Sequence, residues 1–324
     1  MRLPGLTCFW LIVAFCFTLE AQEPLAPTGK LVDLGGHRLH IRCTGKGAPA
    51  VVVENGLGDF SFDWILVQRE VEKFTRICTY DRAGYAWSDS GPKPRTYAQL
   101  NLELHDALGK IGESGPFVLV GHSFGGTVVR NYAAVYPKQV AGMVLVDIVH
   151  EDQRIPMGPN AARVRDFAQG KAIPPPRETM LPSDKLTAVP PRGIEPIGPP
   201  YDKLPRDVQQ LHSWAESLGA LEDAENSQKE WSSESMALLH ATPQERSLGT
   251  MPLIVLTRAS GGYGNDLGVP AAELESERKR LQAQLALLST NGKQVIVQSG
   301  HNMHLEAPDA VVNAIRTVVD LSRR

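Results

Sequence analysis

One serine in this chain stands in a pattern that could make it a nucleophile. Residues 121–126 read Gly-His-Ser-Phe-Gly-Gly and directly follow the apolar run 117–120. Between a strand and a helix, G-x-S-x-G is a sharp turn that lifts the serine hydroxyl into a cleft. The helix predicted at 127–136 would bring free backbone N–H groups close to that hydroxyl. We therefore predict Ser123 as a nucleophile; a serine in a plain tight turn is the alternative.

A serine hydroxyl is a weak nucleophile and needs a histidine base, which in turn needs an acid to orient it. The last predicted strand, 294–298, runs into a Ser-Gly-His tripeptide that ends at His301. In open α/β sheets, binding and catalytic residues lie beyond the carboxyl ends of the strands. The position of His301 directly after a predicted strand therefore favours it as the base. His304 is the alternative base, whereas His122 is predicted to pack or to hydrogen-bond.

An acyl-transfer reaction would also need two backbone N–H donors for its oxyanion. Phe124, directly after the predicted nucleophile, would supply one of them. The loop 55–58, Asn-Gly-Leu-Gly, follows the predicted strand 50–54 and can turn its amides inward. We predict the N–H of Leu57 as the second donor; a glycine turn without this role is the alternative.

Short apolar segments alternate with amphipathic ones along most of the chain. Such alternation predicts an α/β fold, with a parallel sheet covered by helices on both faces. The predicted strands are 30–34, 37–43, 50–54, 76–80, 117–120, 143–146, 253–257 and 294–298, and the predicted helices are 64–73, 96–111, 127–136, 273–288 and 309–321.

The segment 150–250, here called the cap segment, interrupts this alternation. It shows no strand pattern; its first half is rich in proline, and its second half predicts helices at 205–218 and 226–239. An irregular stretch of this length does not belong inside a compact sheet. We predict a helical cap over the site, inserted between the two core parts 22–149 and 251–324; a partly disordered insertion is the alternative.

Composition narrows the classes of function. The 324 residues are 42% hydrophobic and 21% charged, with a net charge of −3, as is ordinary for a globular chain of one or two domains. No basic run is present, and a nucleic-acid partner is not expected. Because paired cysteines and a His-Glu-x-x-His motif are lacking, no metal or cofactor is predicted.

The first 21 residues differ in composition from the rest. Arg2 precedes an apolar stretch, 3–19, and polar residues follow it. This pattern predicts a secretory signal peptide that is cleaved after Ala21. An uncleaved membrane anchor is the alternative, because the stretch is near the minimum length that spans a bilayer. We expect an exported chain, periplasmic or extracellular, that keeps two of its four cysteines.

Four segments together resemble the landmarks of the α/β-hydrolase superfamily, in order and across nearly the whole mature chain. They are residues 55–58, 80–89, 121–126 and 299–301. The second segment departs from the usual pattern by having Ala86 in place of glycine. The resemblance implies a mostly parallel eight-stranded sheet with a helical cap inserted after strand six.

The same resemblance bears on the two remaining cysteines. Its sheet order places strand two beside strand four, which would make Cys43 and Cys78 neighbours. Cysteine pairs in exported chains favour disulfides. We therefore expect a Cys43–Cys78 disulfide; two free thiols packed in strands are the alternative.

The acid that orients the histidine has two candidates. The family usually places this acid after strand seven, where the first carboxylate here is Asp266. Some members carry it after strand six, where this chain has Asp147. We favour Asp147, because a rigid strand end holds a carboxylate better than a long glycine-rich loop, and Asp266 is the alternative.

These residues predict a carboxylesterase-like serine hydrolase that cleaves a small acyl substrate through an acyl-enzyme. Epoxide hydrolases and dehalogenases of the superfamily use an aspartate nucleophile, so the resemblance does not extend to their chemistry. An aminopeptidase or amidase on the same fold is one alternative. A non-catalytic protein that binds small molecules is another, and the sequence predicts no oligomeric state.

Overall fold

The computed structural model describes residues 26–157, 160–177, 197–241, 248–262 and 268–324. The predicted signal peptide and Asp266 therefore lie outside the described residues. Within these ranges, no helix has both the length and the apolar character needed to cross a bilayer.

Eight of the described strands pair into one sheet, in the order β1-β2-β4-β3-β5-β6-β9-β10. β1 and β2 are antiparallel to their neighbours, and all the other pairings are parallel. The strands are β1 (Lys30–Asp33), β2 (Arg38–Thr44), β3 (Val51–Glu54), β4 (Ile77–Tyr80), β5 (Phe117–His122), β6 (Val140–Val146), β7 (Arg154–Met157), β8 (Asn160–Arg163), β9 (Leu253–Arg258) and β10 (Gly292–Val297). The eight sheet strands are those predicted, and the α/β fold class is confirmed.

Helices cover both faces of the sheet, because its central strands are apolar on both sides. One buried layer contains residues of α2, α3 and α6, and the opposite layer contains residues of α1 and α8. The helices are α1 (Ile65–Val71), α2 (Tyr97–Lys110), α3 (Phe124–Val135), α4 (Arg206–Glu216), α5 (Gly219–Ala241), α6 (Ala271–Ala286), α7 (Met303–Glu306) and α8 (Pro308–Ser322).

The edge of the sheet carries a covalent link. The antiparallel register of β2 with β4 places Cys43 directly opposite Cys78. The two residues are joined in a disulfide. This bond ties the antiparallel edge of the sheet to its parallel centre.

The cap segment has both the predicted helices, α4 and α5, and a hairpin, β7 with β8, that the sequence did not indicate. The expectation of no strand in this segment is therefore wrong. A residue of α6 anchors the hairpin: the backbone N–H and the Nε of Arg154 donate hydrogen bonds to Glu277 at 2.8 and 2.9 Å. A tertiary contact of this kind leaves no periodic pattern in the sequence.

The helices α4 and α5 pack on the core beside the carboxyl ends of the strands. Apolar side chains from both sides form one buried cluster, which includes Phe60, Phe62, Tyr85, Val208, Ala215 and Ala224. Two hydrogen bonds add to it, from Tyr201 Oη to Asp59 at 2.8 Å and between His212 Nδ1 and Asp63 at 2.9 Å. The part of the cap segment around α4 and α5 is thus fixed to the core by apolar and polar contacts together.

Candidate active site

Ser123 lies in the sharp turn between β5 and α3. Its backbone is in the left-handed region, with φ 50° and ψ −119°. A Cβ at Gly121 would lie 2.6 Å from the Gly126 Cα, and one at Gly125 would lie 2.3 Å from a β3 carbonyl oxygen. Only glycine allows these close approaches. The turn therefore holds the half-buried Ser123 at the carboxyl edge of the sheet.

Asp147 follows β6 at the same edge, also with a left-handed backbone at φ 43°. Its side chain is buried and accepts hydrogen bonds from His301 Nδ1 at 2.7 Å, the Arg258 N–H at 3.3 Å and Gln282 Nε2 at 3.4 Å. Burial raises the pKa of Asp147, but the His301 hydrogen bond and the Arg258 charge outweigh it and hold this pKa at about 2. Asp147 is consequently ionised over the ordinary pH range.

His301 lies in the loop after β10, where Glu306 accepts a hydrogen bond from the N–H of Gly300. Because its Nδ1 faces the Asp147 carboxylate, the proton belongs on Nδ1 and Nε2 is left as a base. The His301 side chain is 41% exposed. Partial burial and the positive charges of His122 and Arg258 lower its pKa, although Asp147 acts in the opposite direction.

The structure thus brings two of the three predicted catalytic residues into direct contact. The hydrogen bonds of the described residues do not include one between Ser123 Oγ and His301. In structures without substrate, such bonds are often long and close only in the complex. Ser123 adjoins the pair through His122, whose ring lies 4.7 Å from that of His301.

The two predicted oxyanion donors lie on neighbouring segments. Leu57 packs against the apolar cluster that contains Phe124. The backbone of Gly125 closely approaches the carbonyl oxygens of Glu54 and Asn55. The loop after β3 and the start of α3 therefore meet, as an oxyanion hole would require.

Arg82 is a supporting residue that sequence reasoning missed. Its buried guanidinium donates to Glu54 Oε1 at 2.8 Å and to the carbonyl oxygens of Asn55 and Gly56 at 2.7 and 2.6 Å. Holding these carbonyls toward Arg82 fixes the peptide planes of the loop that carries Leu57. An arginine in the landmark segment 80–89 was the available signal, but its partners lie more than 20 residues away.

His122 packs and hydrogen-bonds behind the predicted triad. Its Nδ1 pairs with Asp59 at 2.7 Å, and its Nε2 lies 3.1 Å from the backbone oxygen of His301. Although burial lowers the pKa of His122, the charge of Asp59 raises it above the ordinary value. A protonated His122 can donate to both partners and hold the His301 backbone in place.

His304, the alternative base, is fully buried and stacks on Trp64, with ring centroids 4.7 Å apart. Burial lowers its pKa to about 3. A ring closed off from the cleft does not suit proton exchange with a substrate. The hydrogen bond to Asp147 instead belongs to His301.

Two described clusters contain potential metal ligands. Cys43, Cys78 and Glu113 form one, and Asp59, His122 and His304 form the other. The two cysteine sulfurs are bonded to each other in a disulfide and cannot act as thiolate ligands. In the second cluster, the Asp59–His122 hydrogen bond occupies the atoms that would hold a cation. The geometry therefore supports no metal role for either cluster.

A cavity of about 670 Å³ lies between the loop that carries Leu57 and the helices of the cap segment. This volume is within the range of small-molecule sites, but Ser123, Asp147 and His301 are not among the residues that line it. Its lining includes Leu57, Gly58, Tyr201, His212, Glu216, Leu221, Glu225 and Lys229. The wall is mixed in polarity, with carboxylates and a lysine beside leucines.

An eight-stranded sheet with a serine in a strand–helix turn and an Asp–His pair at its carboxyl edge defines an α/β-hydrolase. Residues 50–314 match the profile described as Alpha/beta hydrolase family. The chain belongs to this family, and its hydrolase class is thereby supported.

Similar proteins differ in their named activities. A protein of Hormonema carpetanum named "Probable transporter efuK" is 35% identical over 129 residues, which are 37% of this chain and 18% of that protein. "Epoxide hydrolase 4" of Mus musculus is 28% identical over 118 residues, 36% of this chain and 33% of that protein. The chain spans less than half the length of these curated relatives.

A solved structure shares the fold over most of both chains. It is a thermophilic esterase from Thermogutta terrifontis, with a TM-score of 0.57 and 19% identity, covering 89% of this chain and 95% of that chain. At this level of identity the likeness concerns the fold alone. Substrate and mechanism must be argued from the site itself.

Proposed function

We propose that this protein is a serine hydrolase that cleaves a carboxylic ester through an acyl-enzyme. The observation that carries the proposal is the 2.7 Å contact between His301 Nδ1 and Asp147, at the sheet edge where Ser123 directly follows β5. This contact leaves Nε2 of His301 free of a proton and available as a base.

In the proposed reaction, Ser123 Oγ attacks the ester carbonyl carbon while His301 Nε2 takes the hydroxyl proton. The N–H groups of Leu57 and Phe124 stabilise the oxyanion that forms. When the C–O bond breaks, the alcohol leaves with the proton from His301, and the acyl group remains on Ser123. Water then attacks this ester with His301 again as base, releasing the acid and restoring the serine hydroxyl.

Epoxide opening does not fit a serine at this position, despite the names of some relatives. Attack by a carboxylate on an epoxide gives an ester, which water can hydrolyse. Attack by Ser123 would give an ether, which a histidine-activated water does not cleave. The serine therefore favours acyl substrates over epoxides.

Labelling with a fluorophosphonate tests the proposal without a guess about the substrate. We expect an adduct on Ser123, located by mass spectrometry, that is absent from the His301→Ala variant. The Ser276→Ala variant, which changes an exposed serine of α6, should label as the wild type does. Folded protein that gives no adduct would overturn the proposal and favour a binding protein.

Turnover of substrates then separates esterase from amidase. We expect hydrolysis of aryl esters that is lost in Ser123→Ala, by about 10³-fold or more. Faster cleavage of peptide anilides than of aryl esters would assign the site to an amidase or aminopeptidase instead.

We also propose that the protein works in an oxidising compartment. The Cys43–Cys78 disulfide supports this, since disulfides are rare where thiols are kept reduced. The apolar stretch near the N-terminus also supports export, because it has the pattern of a secretory signal peptide. Fractionation of cells that express the full chain would test the proposal.

A further inference from the structure

Asp147 is shared between two cationic partners. Its Oδ2 accepts from His301 Nδ1 and also pairs with Nη1 of Arg258, the last residue of β9. The same Nη1 lies 3.1 Å from His301 Nδ1. A permanent positive charge therefore stands beside the acid–base pair of the proposed reaction.

Arg258 is fixed in this place by its surroundings. Its Nε donates to the Gly261 oxygen at 2.9 Å, and Arg278 donates to the same oxygen at 3.0 Å. A Cβ at Gly262 would lie 2.2 Å from Arg258 Nη2, so that a larger residue would displace the guanidinium. The side chain is only 9% exposed. Little water is available to screen its charge.

A fixed cation at this distance acts on the two forms of His301 differently. It repels the imidazolium directly. By pairing with Asp147, it also neutralises part of the negative charge that would otherwise stabilise the imidazolium. The neutral imidazole, which is the form that can accept the Ser123 proton, feels neither effect. The acid–base pair is therefore biased toward the state that starts the reaction.

We propose that Arg258 is a positioning residue that sets the pH range in which His301 acts as a base and extends that range toward acid. This inference rests on the proposed serine hydrolase function. Arg258 touches no substrate in this role; it acts through Asp147 and His301.

Among the residues that the structure describes, the other charged groups around His301 belong to or follow three elements. Asp147 follows β6, His122 ends β5, and His304 and Glu306 lie on α7. His122 disfavours the imidazolium as Arg258 does, and Asp147 favours it. The outcome for His301 is a pKa below its ordinary value. Asp147 stays ionised, with a pKa of about 2. The acidic limb of the pH profile of kcat/KM, where activity falls as the pH is lowered, therefore reports the pKa of His301.

The test compares R258Q, which removes the charge, with R258K, which keeps a cation. For R258Q we expect the acidic limb of kcat/KM to move up by about 1 pH unit, which is tenfold in activity below the limb. The limb should move less in R258K. The maximal kcat/KM above the acidic limb can be lower in both variants without bearing on the inference, because only the pH at which the limb lies tests it.

The control is R130Q. The side chains of Arg130 and Arg258 are 7% and 9% exposed, and Arg130 pairs with Glu151 at 2.7 and 3.0 Å in a buried ion pair that does not include His301. Its loss should leave the limb in place. The inference would be overturned if R258Q left the acidic limb in place, or if it lowered kcat/KM by the same factor at every pH. Arg258 would then have a structural role only.

NMR titration of His301 gives a readout that does not need turnover. In the wild type, His301 should titrate below about 6.5, the ordinary value for histidine, and it should titrate higher in R258Q. A wild-type value at or above 6.5 would overturn the inference even if R258Q does not fold. A low value in a protein without hydrolase activity would instead sink the proposed function alone.

Discussion

At the scale of the single residue, the expected effect of Asp147 on turnover is smaller only than those of Ser123 and His301 among the predicted triad. In the proposed reaction, its hydrogen bond fixes which nitrogen of His301 carries the proton, and its charge stabilises the imidazolium. An asparagine would keep the shape but can donate its own N–H toward Nδ1, which favours the wrong tautomer. The carboxylate is thus needed for its charge as well as its position.

We expect Asp147→Asn to lower kcat for an aryl ester by on the order of 10³- to 10⁴-fold, with little change in KM. Steady-state kinetics measure this directly. Asp89→Asn is the control, because Asp89 pairs with Arg38 at the sheet edge and not with His301. Near-wild-type turnover of Asp147→Asn would transfer the acid's role to another carboxylate, with Asp266 as the first candidate.

At the scale of the element, helix α4 is held to the core through a buried charged pair. His212 lies 2.9 Å from Asp63, and its Nε2 lies 3.4 Å from Glu216. Burial lowers the pKa of His212, but the two carboxylates outweigh it and raise this pKa to about 10. A raised histidine pKa means that the folded state binds the proton more tightly than the unfolded chain does.

This linkage has a defined sign. Burial raises the pKa of Asp63 to about 6, so the charged pair forms above that pH. The contribution of His212 to stability is lost as the pH rises from about 6.5 through about 10. We expect His212→Asn to melt below the wild type at pH 7, and the difference in melting temperature to shrink toward pH 10. His105→Asn, at a histidine that hydrogen-bonds Gln139, is the control. A difference that stays constant with pH would contradict the prediction.

At the scale of the whole molecule, the disulfide closes a long loop. Cys43 and Cys78 are separated by 35 residues, and the segment between them includes β3, α1 and the loop that carries Leu57. Cross-linking a loop of this length removes entropy from the unfolded chain, by about 3–4 kcal/mol in the loop-closure model.

We expect the Cys43→Ser/Cys78→Ser double variant to unfold at lower urea concentration than the wild type, with a free energy of unfolding lower by about 3 kcal/mol. The wild type with reductant should behave like the variant, and the variant itself should ignore reductant. Alkylation of both thiols in wild-type protein without reductant, seen as a mass shift, would refute the bond.

What could be predicted from the sequence is what is encoded locally. The eight strands, the helices and the serine turn each depend on a short pattern of apolar residues or glycines. The hairpin β7–β8 was missed because Arg154 is anchored by Glu277, more than 100 residues later. The pairing of Arg258 with Asp147 bridges 111 residues and left no signal for the same reason. The choice between Asp147 and Asp266 likewise depended on which carboxylate the folded chain brings to His301.

The backbone of Ser123 has one last consequence. Its dihedral angles belong to a region that is open to glycine and costs other residues about 1–3 kcal/mol. A glycine at this position would relieve that strain. Under selection for stability alone, mutation would therefore carry the position to glycine and leave a sturdier, inert protein. That cost fits the nucleophilic role proposed for Ser123, because only a residue with a hydroxyl can fill that role.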